Sequence, residues 1–397
     1  MSHAVPLHVA LVGTRGVPAR YGGFETAAEE VGRRLVERGL RVTVYCRTAR
    51  GEPREDRFLG MELVHLPAMR RRSLETLSHT GLSVGHLVGH RVDAAIMFNA
   101  ANSPWLPGLR AARIPVATHV DGLEWKRAKW GPSGQRYYRT AEALAVRWSD
   151  ALIADAAGIQ DYYRAEFGVP TELISYGAPR LVDLPPTRLT ELGLEPQGYH
   201  LVVARFEPEN HVDLVVEGYV ASGARLPLVV VGSAPYADEY TARVHALADD
   251  RVRLLGGVWD PELLDTLYAH ARTYLHGHSV GGTNPSLLRA IGAGTATVAY
   301  DVGFNREVLR DDGRYFGSPA DVATQVEAAE ADPDDCLRRG KALAVRALDY
   351  DWDVVADRYE DLARRLASRD LRRTRGGGRR SGRGTAAVSS RVPAEVA

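Results

Sequence analysis

"GTRGVPARYGGFETAAEE", residues 13–30, follows directly on the apolar run Leu7 to Val12 and leads into an amphipathic pattern. Strand, glycine loop and helix in that order place backbone amides and a helix N-terminus where an anion can be held. Phe24, Ala27, Ala28, Val31 and Leu35 recur at helical spacing, and Gly39 supplies the stop before the next run, Arg41 to Tyr45. This is one strand–helix–strand crossover. Further runs at Ala94 to Phe98, Pro115 to His119 and Ala151 to Ala154 continue the alternation, which predicts a parallel sheet covered by helices.

A second series starts after "YGAPRLVDLPP", residues 176–186, whose glycine and prolines read as a linker. Its runs are His200 to Ala204, Leu226 to Val231, Arg251 to Leu255, Thr273 to His276 and Ala296 to Tyr300. A chain of 397 residues also exceeds the roughly 250–300 at which one core stops growing. The expected fold class is therefore α/β, with two Rossmann-like doubly wound domains facing a cleft, over residues 1–180 and 187–348. Residues 349–368 follow as a helix whose stripe of Val355, Tyr359, Leu362 and Leu366 can pack on either half.

The formal net charge is zero, but residues 364–397 hold ten Arg against Asp370 and Glu395, which leaves residues 1–363 at −8. The tail from 369 onward has almost nothing to bury and reads as disordered. A solvated tail, an anionic membrane surface or nucleic acid all suit its Arg and Gly, the last being the weakest reading. Two cysteines, Cys46 and Cys336, form neither a disulfide framework nor a thiolate metal site, and fit a reducing cytoplasm. No stretch approaches ~20 apolar residues, and "MSHAVPLHVALVG" lacks the basic n-region of a signal peptide.

The first loop does not fit the common phosphate fingerprints. A dinucleotide site needs G-x-G-x-x-G and an acidic residue after the second strand, whereas the loop reads Gly13-Thr14-Arg15-Gly16 and the strand ends in "VYCRT". The lysine-bearing P-loop pattern is absent too. Gly22 and Gly23 remain, where backbone can approach a ligand closely; a structural turn accounts for them equally.

A stronger signal lies in "YLHGHSVGGTNPSLLRAIGAGTATVAYDVGFNREVL", residues 274–309. After the strand come Gly281, Gly282 and Thr283, then Asn284 as N-cap and Pro285 at the first helical position. Free amides at such a helix start suit a diphosphate. Arg205, at the end of "LVVARFEP", is expected at the C-terminal edge of the same sheet, where ligands of open α/β sheets bind. A guanidinium there can take two phosphate oxygens at once.

Together, "GTRGVPARYGGFET" (13–26), "SLETLSHT" (73–80), "DGLEWKRAKW" (121–130), "ARFEPEN" (204–210) and "GGTNPSLL" (281–288) resemble the GT-B glycosyltransferases of retaining family 4. Within that family the resemblance is closest to bacterial rhamnosyltransferases of polysaccharide assembly. It implies a nucleotide-sugar donor held by the C-terminal domain and a polysaccharide or lipid-linked acceptor held by the N-terminal one. It also implies a last helix crossing back to the first domain. Arg205 is then expected on the donor diphosphate, with Gly281, Gly282, Thr283, Asn284 and Ser286 around phosphate and sugar. Gly22 and Gly23 are expected to face the donor phosphates or the acceptor across the cleft, and His119 to stand beside the transferred sugar.

The sequence departs from the family pattern at three places. Where many members carry a pair of glutamates eight residues apart, the second on the ribose, this chain has Gly281 and Arg289. Where a basic residue often follows the Arg by five positions, it has Asn210. A deoxyribose donor such as dTDP-rhamnose lacks the 2′-OH and so asks less of position 289; a UDP- or GDP-sugar transferase and a non-catalytic sugar-nucleotide-binding protein are the alternatives.

Resemblance further implies front-face substitution with no enzyme nucleophile; Arg205 and the loop amides can carry the departing charge without a metal, so no metal or other cofactor is expected. Asp332-Pro333-Asp334 and Asp351-Trp352-Asp353 have metal-like spacing, but both precede helical patterns, where Asp is a common N-cap. His119 and Asp121 alternate on a strand end, so only one of them faces the sugar, and His119 is favoured. Glu307 is a further donor-contact candidate. "EWKRAKW", 124–130, interleaves Lys126, Arg127 and Lys129 with two tryptophans, as a lipid-diphosphate acceptor or the inner face of the cell membrane would suit; "MRRRS", 69–73, adds to that reading.

Overall fold

β1 (His8–Val12) is the parallel partner of both β2 (Arg41–Arg47) and β5 (Ala94–Met97), which places the first glycine loop at the middle of a sheet. The computed structural model describes residues 6–371 except 20–21, 49–53, 70–73, 121, 128–129 and 234–237. The basic tail from 372, Asp121, Lys129 and most of "MRRRS" lie outside the described residues. The other strands of this sheet are β3 (Arg57–Phe58), β4 (Met61–Leu66), β6 (Val116–His119), β7 (Ala151–Ala154) and β8 (Glu172–Leu173). Their order is β3-β4-β2-β1-β5-β6-β7-β8, with only β3 antiparallel to its neighbour. Helices α1 (Gly23–Glu37), α2 (Glu75–Gly89), α3 (Leu106–Ala111), α4 (Pro132–Trp148) and α5 (Ala157–Phe167) connect them.

The second sheet holds β9 (His200–Val203), β10 (Leu228–Val231), β11 (Val252–Gly256), β12 (Thr273–His276), β13 (Thr297–Tyr300) and β14 (Arg314–Phe316), in the order β11-β10-β9-β12-β13-β14. Its helices are α6 (Val212–Ala221), α7 (Asp238–Leu247), α8 (Pro261–His270), α9 (Pro285–Gly292), α10 (Gly303–Leu309), α11 (Pro319–Ala331) and α12 (Pro333–Arg346). Central strands such as Leu228–Val231 are buried along their whole length, as continuous Val-rich runs covered on both faces should be. The architecture is two Rossmann-like α/β domains, as expected. The short strands β3, β4, β8 and β14 escaped the sequence reading. β4, "MELVHL", alternates buried Met61 and Leu63 with half-exposed residues near the sheet edge, so it lacks the apolar run that marks the inner strands.

The last helix, α13 (Trp352–Ser368), returns to the first domain. Val355, Tyr359, Leu362 and Leu366 are buried in one cluster with Val31 and Leu35 of α1. Burying these four with Trp352 is worth on the order of 10 kcal/mol of gross transfer free energy before chain entropy is subtracted. The ion pairs Arg34–Asp353 (2.8 Å) and Arg365–Glu172 (3.0 Å) flank the contact and set its orientation, being individually weak at a surface. Gly177 leaves room for the Trp352 indole: a Cβ there would lie 2.2 Å from it.

Candidate active site

In a parallel sheet a ligand crevice opens where the crossovers switch direction. The second sheet winds one way from β9 to β11 and the other way from β12 to β14, so the switch point lies between β9 and β12. Arg205 follows β9 and the Gly281–Thr283 loop follows β12; the fold therefore brings together, at this one point, the two segments singled out in sequence. The Arg205 side chain is 44% exposed, with Glu207 at 3.7 Å as its ion-pair partner, so the guanidinium reaches out from the sheet edge.

α9 starts as its sequence predicts. Asn284 is extended (φ −100°, ψ 126°), its side-chain oxygen accepts from the Ser286 N–H at 2.8 Å, and Pro285 takes the first helical position. Gly281 sits at φ +138°, which favours glycine. The loop is anchored by side chains that the sequence reading underrated. Asn210 donates to the Arg205 carbonyl at 2.8 Å and pairs with His278 Nδ1 at 2.8 Å, and Asn305 donates to the His278 carbonyl at 3.0 Å. Asn210, where a cation was expected from the family pattern, thus joins the β9 loop to the β12 loop. Gly277 permits that junction, since a Cβ there would meet the Asn210 carbonyl oxygen at 2.0 Å.

Across the cleft, the first domain contributes loops that also follow strand C-termini. Gly23 faces Pro285, whose Cγ would lie 2.8 Å from a Cβ on it; Gly122 faces the Gly281 backbone at 2.9 Å in the same sense. Gly22, the extended N-cap of α1, lies beside Glu25, whose buried carboxylate accepts from the Arg15 N–H at 2.9 Å. Burial raises the Glu25 carboxyl above its usual range. Thr283 donates to the Asp155 carbonyl at 2.8 Å, linking the phosphate-type loop to the end of β7.

Several candidates are differently placed from the sequence expectation. His119 is only 1% exposed, boxed by Phe24 (5.3 Å between ring centroids), Phe98 (5.8 Å) and Tyr176 (5.9 Å). Burial lowers its pKa to about 3, so it is neutral, a floor beneath the Gly22–Gly23 turn. Arg289 turns toward Asp265 of α8, 2.7 Å away. Glu307 is in the second turn of α10 and reaches Ala157 at the start of α5. Both charges are engaged by protein groups rather than standing in the loop. Arg127, expected with Lys126 and Lys129 at an acceptor or membrane, is instead 11% exposed; it pairs with Glu124 (2.6 Å), Glu209 (3.2 Å) and Glu207 (3.7 Å), tying the two domains together. Its planar fork can serve several carboxylates, which a solvated lysine does less well. Lys126 is exposed, over the Trp125 ring.

The Asp-x-Asp segments cap helices. Asp332 accepts from the Asp335 N–H and Asp351 from the Asp353 N–H. Asp155 was not foreseen. It lies at the end of β7, 2% exposed, with Oδ1 buried and without a hydrogen-bond partner, and burial raises its pKa to about 7. The sequence "IADAAG" gives no sign of this, because the Gly282 backbone that stands against the carboxylate comes from far along the chain.

Two facing Rossmann-like domains with an arginine and a glycine loop at the switch point of the second define the GT-B architecture. Residues 22–177 match the family described as glycosyl transferase 4-like domain, and residues 191–342 match glycosyl transferases group 1. The chain carries these two glycosyltransferase domains and is a glycosyltransferase. Among solved structures it is similar to sucrose-phosphate synthase from Thermosynechococcus elongatus, at 18% identity and a TM-score of 0.79, covering 91% of this chain and 100% of that one. It is also similar to HepE of Anabaena in complex with UDP-glucose, at 15% identity and a TM-score of 0.72, covering 90% and 100%. In sequence it is 29% identical, over 144 residues, to the GtfA subunit of the UDP-N-acetylglucosamine–peptide N-acetylglucosaminyltransferase of Streptococcus gordonii. That match spans 34% of this chain and 28% of the relative.

Proposed function

We propose that this glycosyltransferase moves a sugar, with retention, from a nucleoside diphosphate to a polysaccharide or lipid-linked acceptor, and needs no metal. The observation that carries the reading is the placement of Arg205 and the Asn284-capped start of α9 on either side of one switch point. Arg205 binds the diphosphate and the backbone amides of Thr283 and Asn284, at the start of α9, take the remaining charge as it leaves. The acceptor oxygen bonds to the anomeric carbon as the carbon–oxygen bond to phosphate breaks, and the acceptor proton passes to the departing phosphate oxygen. His119 acts in this scheme by packing, holding Phe24 under the Gly22–Gly23 turn.

Rhamnose carried on dTDP is the favoured donor, because position 289 offers a cation held by Asp265 and no carboxylate for vicinal ribose hydroxyls. A UDP-sugar is the second reading, favoured by the similarity to HepE, which was solved with UDP and with UDP-glucose. Release of nucleoside diphosphate from dTDP-rhamnose, UDP-glucose, UDP-galactose and GDP-mannose, with and without EDTA, tests both. One donor turned over, insensitive to EDTA and slowed about 10²–10³-fold in Arg205→Ala, is expected. Loss of turnover in EDTA, or an unaffected Arg205→Ala, overturns the mechanism; clear preference for a UDP-sugar replaces the donor.

A further inference from the structure

The outer face of α4 carries charge that the transfer reaction does not use. Arg136, Arg139 and Arg147 are exposed on it, and with Thr140 and Ala143 they share one side of the helix, opposite buried Ala141 and Ala145. The stripe runs about 16 Å, at 1.5 Å per residue. Its acidic content is nil: Glu142, the one carboxylate of α4, is buried and bonded to the Tyr162 hydroxyl at 3.0 Å. Arg136, Arg139, Arg147 and Lys126 have no ion-pair partner among the described residues, whereas Arg127 next door has three. Two shallow grooves of about 580 and 590 Å³ lie along this face, both lined by Pro132, Arg136 and Thr140.

Aromatic groups accompany the cations. Trp125 lies between Lys126 (5.5 Å) and Arg139 (5.0 Å), and Arg147 rests over Trp148 (5.5 Å). The 3₁₀ turn Ala100–Trp105, to which Tyr137 of α4 donates a hydrogen bond at 2.6 Å, exposes Trp105, and α2 exposes Leu82. Cations spread over three helical turns, with the Trp125 and Trp148 rings alongside, match an extended anionic sheet better than one phosphate.

We propose that this face, Lys126, Trp125, Arg136, Arg139 and Arg147, rests on an anionic lipid bilayer. The patch adjoins Arg127 at the mouth of the cleft, so docking there presents the acceptor-side domain to lipid-borne substrate. That purpose depends on the lipid-linked acceptor reading; the docking itself does not.

Sedimentation of the full chain with vesicles of phosphatidylcholine alone, or mixed equally with phosphatidylglycerol, tests it. Binding only to the mixed vesicles is expected, weakened about thirtyfold in Arg136→Gln/Arg139→Gln because each cation near an anionic leaflet is worth roughly a fivefold gain. Replacing Arg372, Arg373, Arg375, Arg379 and Arg380 of the tail by Gln separates the two basic regions: binding that survives supports α4, and binding that vanishes overturns it. Equal binding to neutral vesicles, an unaffected double variant, or displacement by inorganic phosphate also overturns it, the last pointing to a phosphate subsite. Donor-dependent diphosphate release without vesicles is expected to be unchanged in the double variant. Failure of vesicle binding with intact release therefore counts against this surface alone, and failure of release in the parent protein counts against the transfer reading.

Discussion

Both carboxylate oxygens of Glu307, on α10 of the second domain, lie 3.2 Å from the backbone nitrogen of Ala157, which opens α5 of the first. Ala156, the cap residue of α5, has no polar side chain to accept from the free amides, so the cap is supplied from across the cleft. Glu307→Ala is expected to cost about 1 kcal/mol, as for loss of an N-cap, and to enlarge the radius of gyration by freeing the domains. Glu307→Gln, which keeps an acceptor, should retain most of both. Scattering and thermal unfolding of the two variants decide it; identical behaviour of Glu307→Ala and the parent removes the bridging role.

Gly282 meets Asp155 so closely that an added Cβ would stand 2.1 Å from its Oδ1. Gly282→Ala must therefore displace the loop or open the cleft, and a loss of tenfold or more in donor turnover is expected. Because the clash is with one carboxylate, Asp155→Ala should restore part of the loss. Turnover measured over the four proteins of this cycle gives the coupling, and strict additivity would sink the argument.

Asp155 also sets a pH dependence. Its folded pKa, raised by burial to about 7 from an ordinary 3.8, means the folded state holds the proton more tightly than the unfolded chain. The resulting stability is full below about pH 4 and is lost as pH rises through about 7. Asp155→Asn, neutral throughout, should lose stability less steeply over that interval. Unfolding temperatures of both proteins on either side of about pH 7 test this, and parallel curves would refute it.

His119 and His276 are each lowered to about 3 by burial, and His79 to about 4. Neutral in the fold, they contribute stability that is present above the ordinary 6.5 and drains away as pH falls toward 3. His119→Phe should make the protein less acid-sensitive while keeping donor turnover, since a ring still fills the box of Phe24, Phe98 and Tyr176. His119→Ala should cost about 2–4 kcal/mol through the cavity it leaves. Turnover abolished in His119→Phe at unchanged melting temperature would show instead that the imidazole touches substrate.

Much of this protein is written locally. Continuous apolar runs such as Leu228 to Val231 fix the inner strands, and Asn284-Pro285 fixes where α9 begins, because period, caps and proline chemistry act within a few residues. The glycine loop and Arg205 are legible as candidates for holding phosphate for the same reason. What those signals do not contain is the packing of one half on the other. The stripe of α13 suits either domain, and only the facing surface of α1, with Glu172 and Gly177, assigns it to the first. Arg127 reads as part of the basic run "EWKRAKW" until Glu207 and Glu209 close on it, and Asp155 draws no notice until the Gly282 backbone stands against its carboxylate. Charge, burial and pKa at a domain interface depend on groups distant in the chain, so only the tertiary structure decides them.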